Sequence, residues 1–320
     1  MAARVLLDSQ LMDALVKRVD GDRGDDGLEA LLQFATHERW GLSGLFCLLE
    51  HFAKSDDEAF MLRAPRRMAA LLRVLSMDEA AFLRSGTIQP DPLAARRCMA
   101  REQASSLDEV AAAWVARFRR KWSRAIVNGR LQFSEVALLK MQLIHRFEAL
   151  RRPPLEKLRL LESFLQGTLG LRPAREMQLA LHCFCGLAGP LLGTQAGASV
   201  DEVLDGVRST AWALYLMRFP EMFFDDGKRR VTVPFVATRE PRLAALGRLM
   251  GVDAIVSLSG GTRTPVIGHR LDGLPEDVRA ELQRRPPPEP SRLTAERAAG
   301  GVPAGLLEAL RQELGRQLGR

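Results

Sequence analysis

Apolar positions near the start of the chain follow two periods in succession. Val5-Leu6-Leu7, entered from Arg4, is a short apolar run ending on the turn formers Asp8 and Ser9, the pattern of a buried strand handing over to a helix. Leu11, Met12, Leu15 and Val16 then repeat at helical spacing. After the Gly- and Asp-rich stretch from Asp20 to Gly27, Leu28, Leu31, Leu32 and Ala35 mark a second amphipathic helix. Trp40-Gly41-Leu42-Ser43 breaks it and offers a second short strand, and Leu45, Leu48, Leu49 and Phe52 place a third helix over about 44–53. Ser55-Asp56-Asp57-Glu58 supplies a capping box for the next one.

From about Asp78 to Gly193 the periodicity is helical throughout, punctuated by Asp91-Pro92, Asn128-Gly129, Arg152-Pro153-Pro154 and Gly189-Pro190. Ser199-Val200-Asp201-Glu202 reads as another capping box, opening a helix through Trp212, Leu216 and Met217. Strand character returns at Val231 to Ala237, followed by a helix from Arg242 to Met250 and a short apolar strand from Asp253 to Leu258. Short apolar strands joined through helices favour a parallel sheet. The early strands have too few local neighbours for a sheet, so they are expected to pair with those beyond residue 230.

The expected architecture is therefore α/β: a small, mostly parallel sheet flanked by helices, interrupted by a large all-helical insertion, with helix predominating. Residues 1–80 and 195–285 would form the discontinuous α/β domain and 81–194 the insertion. Residues 286–320 would hold a stiff linker, Pro286-Pro287-Pro288-Glu289-Pro290, and an amphipathic helix through Leu306, Leu307, Leu310 and Leu314 that either docks or hangs free.

Composition changes this picture in three places. No window reaches about 18 uninterrupted apolar residues, and Met1 to Leu15 lacks the pattern of a secretory signal, so a cytoplasmic protein with no membrane partner is expected. Cys47, Cys98, Cys183 and Cys185 are sparse and mostly flanked by apolar residues, which suits reduced core thiols. The net charge of +7 invites a polyanion, and the excess is local, because residues 94–130 hold nine Arg or Lys against three acids. Within that segment Arg117, Arg120, Lys121 and Arg124 are candidate RNA-backbone contacts, while Trp114, Phe118 and Trp122, recurring every fourth residue, read more readily as core than as a stacking platform.

An acid also stands in each element that the sheet would bring to one edge: Asp8, Glu50, Asp205 and Glu240. Open parallel sheets place ligands outside the carboxyl ends of their strands, and clustered carboxylates suit Mg²⁺ or Mn²⁺, which can activate water for phosphodiester cleavage. Here the chain resembles the PIN-domain family of metal-dependent ribonucleases. Val5-Leu6-Leu7-Asp8-Ser9 is similar to its opening strand and first acid, and Leu42-Ser43 through Leu48-Leu49-Glu50 to its second strand and acidic helix. Asp205-Gly206-Val207-Arg208 with Ala211 to Leu214 is similar to its third acidic helix, and Pro234 through Glu240 with Leu243 to Leu246 to its late strand ending in Thr-x-acid. The resemblance implies an endoribonuclease in which Asp8, Glu50, Asp205 and Glu240 hold Mg²⁺ or Mn²⁺ and carry the catalysis, with a cognate inhibitor protein allowed.

Glu240 stands where the family carries Asp, and Asp201 lies one helical turn from Asp205, so the identity of the third acid stays open. The alternative is a noncatalytic PIN-like scaffold or interaction protein binding RNA or a protein partner, in which each acid caps or solvates its helix. Other motifs carry less. His182-Cys183-Phe184-Cys185 lacks zinc-ligand spacing, and His37, His51 and His145 have no recognisable nucleophile partner. Ser259-Gly260-Gly261-Thr262-Arg263 reads as a plain turn rather than a nucleotide loop.

Overall fold

The computed structural model describes residues 2–22, 24–170, 173–192, 198–218, 232–257, 263–267, 270–284 and 301–319. The elements run β1 (Ala2–Leu7), α1 (Ser9–Val19), α2 (Asp26–His37), β2 (Gly41–Ser43), α3 (Leu45–Lys54), α4 (Asp57–Leu75), α5 (Glu79–Ser85), α6 (Pro92–Glu102), α7 (Leu107–Lys121) and α8 (Arg124–Leu143). They continue α9 (Pro154–Phe164), α10 (Ala174–Phe184), α11 (Gly189–Leu192), α12 (Val200–Arg218), β3 (Thr232–Ala237), α13 (Pro241–Leu249), β4 (Val252–Ser257), β5 (Arg263–Ile267), α14 (Glu276–Arg284) and α15 (Leu306–Leu318). Two π-helical turns, Ile144–Glu148 and Leu165–Leu169, extend α8 and α9.

Helix predominates around a small parallel sheet, as the periodicity implied. The chain divides into two compact units, one built from residues 1–127 and 219–240, the other from 128–218 and 241–320. The helical stretch over 81–194 is thereby shared: α5 to α7 belong to the first unit, and α9 to α11 to the second. β3 returns to the first unit, whereas α12 and α13 lie in the second.

In the first unit the sheet order is β2-β1-β3 with both pairings parallel. Arg4 lies opposite Gly41 and Pro234, and Val5 opposite Leu42 and Phe235. Val5, Leu6 and Leu7 are all buried, which requires cover on both faces of β1 and explains why the strand reads as a continuous apolar run. Met12, Leu15, Leu28, Leu32, Phe46, Leu49, Phe60 and Leu71 are fully buried, so α1 to α4 supply that cover. Truncating Phe60 to Ala would cost about 3–5 kcal/mol by the usual cavity argument. Gly44 joins β2 to α3 in tight quarters: a Cβ there would meet Met68 Sδ at 3.1 Å, with Leu71 Cδ2 and Met12 Cε at 3.2 Å. The cap of α4 differs from the expected box. Ser55 instead closes α3, its hydroxyl donating to the His51 carbonyl at 2.6 Å, and Asp56 caps α4 by accepting the Ala59 N–H at 2.7 Å.

In the second unit α10 is buried from Arg175 to its end at Phe184. Its Glu176, 1% exposed, accepts the Ser134 hydroxyl at 2.6 Å and pairs with Arg218, so α8, α10 and α12 are tied by one buried polar network. Ser199 and Glu202 form the expected capping box, with the Ser199 N–H donating to the Glu202 carboxylate at 2.8 Å. α15 docks: Leu310 and Leu314 are buried and Arg311 reaches Glu135 at 2.8 Å. β4 does not join the parallel sheet as the strand-helix-strand reading expected, but pairs antiparallel with β5. Only five residues separate the two strands, enough for a hairpin and too few for the crossover that a parallel partner needs. The Pro286–Pro290 linker and most of the 259–263 turn lie outside the described residues. Among the described residues no helix is long and apolar enough to cross a membrane, and Cys47, Cys98, Cys183 and Cys185 are all free thiols.

Candidate functional site

The carboxyl edge of the parallel sheet is built by the turn after β1, the start of α3 and the loop after β3. Asp8 continues the ladder by donating its N–H to the Ala237 carbonyl at 3.3 Å. Its carboxylate is buried, with one oxygen accepting the Leu11 N–H at 2.7 Å as the cap of α1 and the other accepting the Arg239 N–H at 3.2 Å. Arg239 in turn pairs with Asp25, the cap of α2. Glu50 on α3 is linked to this edge through the residue after Asp8: Ser9 donates its hydroxyl to Glu50 Oε2 at 2.5 Å, and Lys54 reaches Oε1 at 2.6 Å. Glu240 is half-buried two residues beyond Thr238, whose hydroxyl accepts the Glu240 N–H at 3.0 Å. Asp205 and its neighbour Asp201 are exposed on α12 and belong to the second unit.

A hard cation needs carboxylate oxygens turned toward a common point. Both oxygens of Asp8 accept backbone N–H groups, and both oxygens of Glu50 are engaged by Ser9 and Lys54. Among the described residues no three Asp, Glu, His or Cys side chains lie close enough together to share an ion. In this arrangement the oxygens of Asp8 and Glu50 are already engaged by protein donors.

Behind Glu50 a closed polar cluster pins α1, α3 and α4 together. Arg67, 8% exposed, donates to both oxygens of Asp13 at 2.8 Å and to Cys47 Sγ at 3.5 Å. Burial pushes the Cys47 thiol up to about 11 against the pull of Arg67, so it stays protonated and inert. Burial, and then the charges of Arg67 and Arg63, lower the pKa of His51. None of this cluster was legible as a unit, since its members are scattered over three separate helices, α1, α3 and α4.

The basic segment resolves into contrasting roles. Phe118 and Trp122 are buried, Phe118 meeting Phe52 at 5.5 Å and Phe60 at 5.9 Å, while Trp114 donates its indole N–H to Glu102 at 3.1 Å. Arg124 is structural: it donates to the Phe52 and Ser55 carbonyls at the end of α3, at 3.1 and 2.9 Å, and pairs with Asp57 at 2.5 Å. The hydrogen bond from Arg124 holds the Asp57 carboxyl below the usual carboxylate range. Arg117 pairs with Glu102. Arg120 and Lys121 are exposed at the end of α7 and have no acidic partner among the described residues, and Arg96, Arg97 and Arg101 are exposed on α6, which packs on α7.

One feature of the first unit escaped the sequence reading. Trp40 stacks on Phe235 with centroids 4.7 Å apart and planes 18° apart, and Phe34 meets Trp40 edge-on at 5.0 Å. Trp40 precedes β2 and Phe235 lies on β3, so the two rings reach each other across β1. Phe34 is 48% and Phe235 44% exposed. The signal was present in α2, where Phe34 lies off the Leu28, Leu32 and Ala35 stripe. Beside the rings, Arg39 is exposed with a positive φ of 54°. Comparisons with protein-family models, with curated proteins and with solved structures find no match to this chain.

Proposed function

We propose that the chain is a noncatalytic RNA-binding protein that holds single-stranded RNA through phosphate contacts from α6 and α7. The observation that carries this reading is the pair Arg120 and Lys121, solvated cations at the end of a helix whose other arginines are drawn into ion pairs. Solvated Lys and Arg can exchange counterions for phosphates, whereas Arg124 is committed to the α3 carbonyls. The exposed rings of Phe34 and Phe235, gathered around half-buried Trp40, add faces on which unpaired bases can stack. Fluorescence anisotropy of a labelled single-stranded RNA, measured across a salt series, tests the reading. Affinity should fall with salt, and Arg120→Ala with Lys121→Ala should flatten the logarithmic slope by about 0.7 for each cation removed. Absence of binding at low salt, or an unchanged slope, overturns it.

A second reading, the PIN-like ribonuclease dependent on Mg²⁺ or Mn²⁺, is favoured by one observation: Asp8, Glu50 and Glu240 stand around one sheet edge, with Glu50 bonded to the residue after Asp8. Calorimetric titration with Mn²⁺ separates the two. Saturable uptake that disappears in Asp8→Asn and Glu240→Gln supports the ribonuclease, and no uptake by the parent chain supports the binding protein.

A further inference from the structure

The end of α8 gathers hydrogen-bond donors that have no acceptor. There the helix widens into the π turn Ile144–Glu148, a rare geometry often found where side chains are put to use. Gln142, 1% exposed, accepts the Arg146 Nε–H at 3.0 Å through its carbonyl oxygen. A guanidinium can only donate, so the Gln142 oxygen must face Arg146, and the buried amide Nε2 is left without a partner. His145 Nδ1, in the same turn, is likewise buried without a partner. Lys157 comes from the second turn of α9 and is 5% exposed. Among the described residues neither Lys157 nor Arg146 has an acidic partner.

These groups are neighbours. Burial first, then the charges of Lys157 and Arg146, hold His145 below its ordinary value, and both cations also act on the Cys183 thiol, which burial pushes up to about 12. Phe184, beside Cys183 on α10, stacks on His145 at 5.9 Å and walls that side. Buried cations are ordinarily paired, and buried amide donors ordinarily bonded. Here buried Lys157 and half-buried Arg146 lie near His145, beside the orphan amide of Gln142, and apart from the Gln142 oxygen that Arg146 already uses these groups have no acceptor among them.

We propose that Lys157, Arg146, His145 and the Gln142 amide bind a small oxyanion of the phosphate class. The two cations supply charge-assisted hydrogen bonds, and the amide and ring fix its orientation. The site lies wholly in the second unit and does not depend on the RNA-binding reading, whose cations are in the first. Calorimetric titration of the full chain with inorganic phosphate, against sodium chloride of equal ionic strength, tests it. The parent should show saturable binding beyond the chloride control, weakened about tenfold or more in Lys157→Met. Gln142→Leu, which keeps both cations and removes the orphan amide, should weaken binding several-fold and serves if Lys157→Met does not fold. No saturable binding by the parent, or equal binding by Lys157→Met or Gln142→Leu, overturns the proposal.

Discussion

The carboxylate of Asp8 accepts the backbone N–H of Arg239 at 3.2 Å, across a separation of 231 residues, while its other oxygen caps α1 through Leu11. One side chain thus ties the turn after β1 to the loop after β3 and stabilises both ends of the same ladder. Asp8→Ala should destabilise the chain by about 1–2 kcal/mol from the lost cap alone, and by more if the Arg239 N–H is stranded. Asp8→Asn keeps one acceptor oxygen but turns an NH₂ toward one of the two backbone donors, so it too should lower the urea midpoint. An unchanged midpoint in both variants would remove this structural role.

Arg120 and Arg124 lie four residues apart on either side of the break between α7 and α8 and should respond differently to substitution. Arg124 satisfies two carbonyls at the end of α3 and lies over the Phe52 ring at 4.4 Å, so Arg124→Gln should cost stability, by about 1–3 kcal/mol, with little direct effect on the salt slope of RNA binding. Arg120→Gln should do the opposite. Urea titration and the anisotropy slope, measured side by side, check the division.

The contrast marks where the sequence was readable. The apolar run Val5-Leu6-Leu7 could be assigned because a strand buried on both faces needs no alternation, and β3 because β-branched residues surround Pro234. The fate of β4 was not readable. Its apolar pattern suits either sheet, and the choice depends on a partner, β5, whose Arg263 to Ile267 carries no strong strand signal. The order of the four acids along the chain does not show which oxygens the backbone has already taken. Asp8 illustrates this: its second partner is fixed only when β3 aligns beside β1. Nor does helical spacing separate Arg124 from Arg120, because the carbonyls that bind Arg124 come from another helix.

Stability should fall on mild acidification. His51, His145 and His182 are each lowered below 6.5, chiefly by burial, so the unfolded chain takes up protons that the folded chain refuses. Their contribution is fully present above pH 6.5 and is lost as the pH falls through 6.5 toward the lowered folded values. Asp57 and Glu102, held low by arginine hydrogen bonds, act in the same direction only near and below the ordinary carboxylate range. A drop in urea midpoint between pH 7.5 and 5.5, reduced in His51→Leu, isolates the histidines.

At the alkaline end the thiols take over. Cys47 and Cys183 are raised by burial from 9.0 to about 11 and about 12, so the folded chain holds protons that the unfolded chain releases. That stability is fully present below pH 9 and declines as the pH rises through 9 toward 11 and 12. The midpoint should therefore fall above pH 9 more steeply in the parent than in Cys47→Ala with Cys183→Ala. At pH 8 the same two thiols should resist a disulfide reagent until urea is added.

The aromatic trio allows a sharper separation of binding from packing. Phe235 is 44% exposed on β3 and stacks on Trp40, so its truncation removes a ring face without opening a deep cavity. If bases stack there, Phe235→Ala should weaken single-stranded RNA by about 1–3 kcal/mol while leaving the salt slope intact, because no phosphate contact is lost. Loss of Arg120 and Lys121 should instead flatten the slope. If the rings only shield the sheet, Phe235→Ala should lower the urea midpoint and leave RNA affinity where it was. Base contacts and phosphate contacts differ in their response to salt, so the two variants together show whether the first unit presents two binding elements or one.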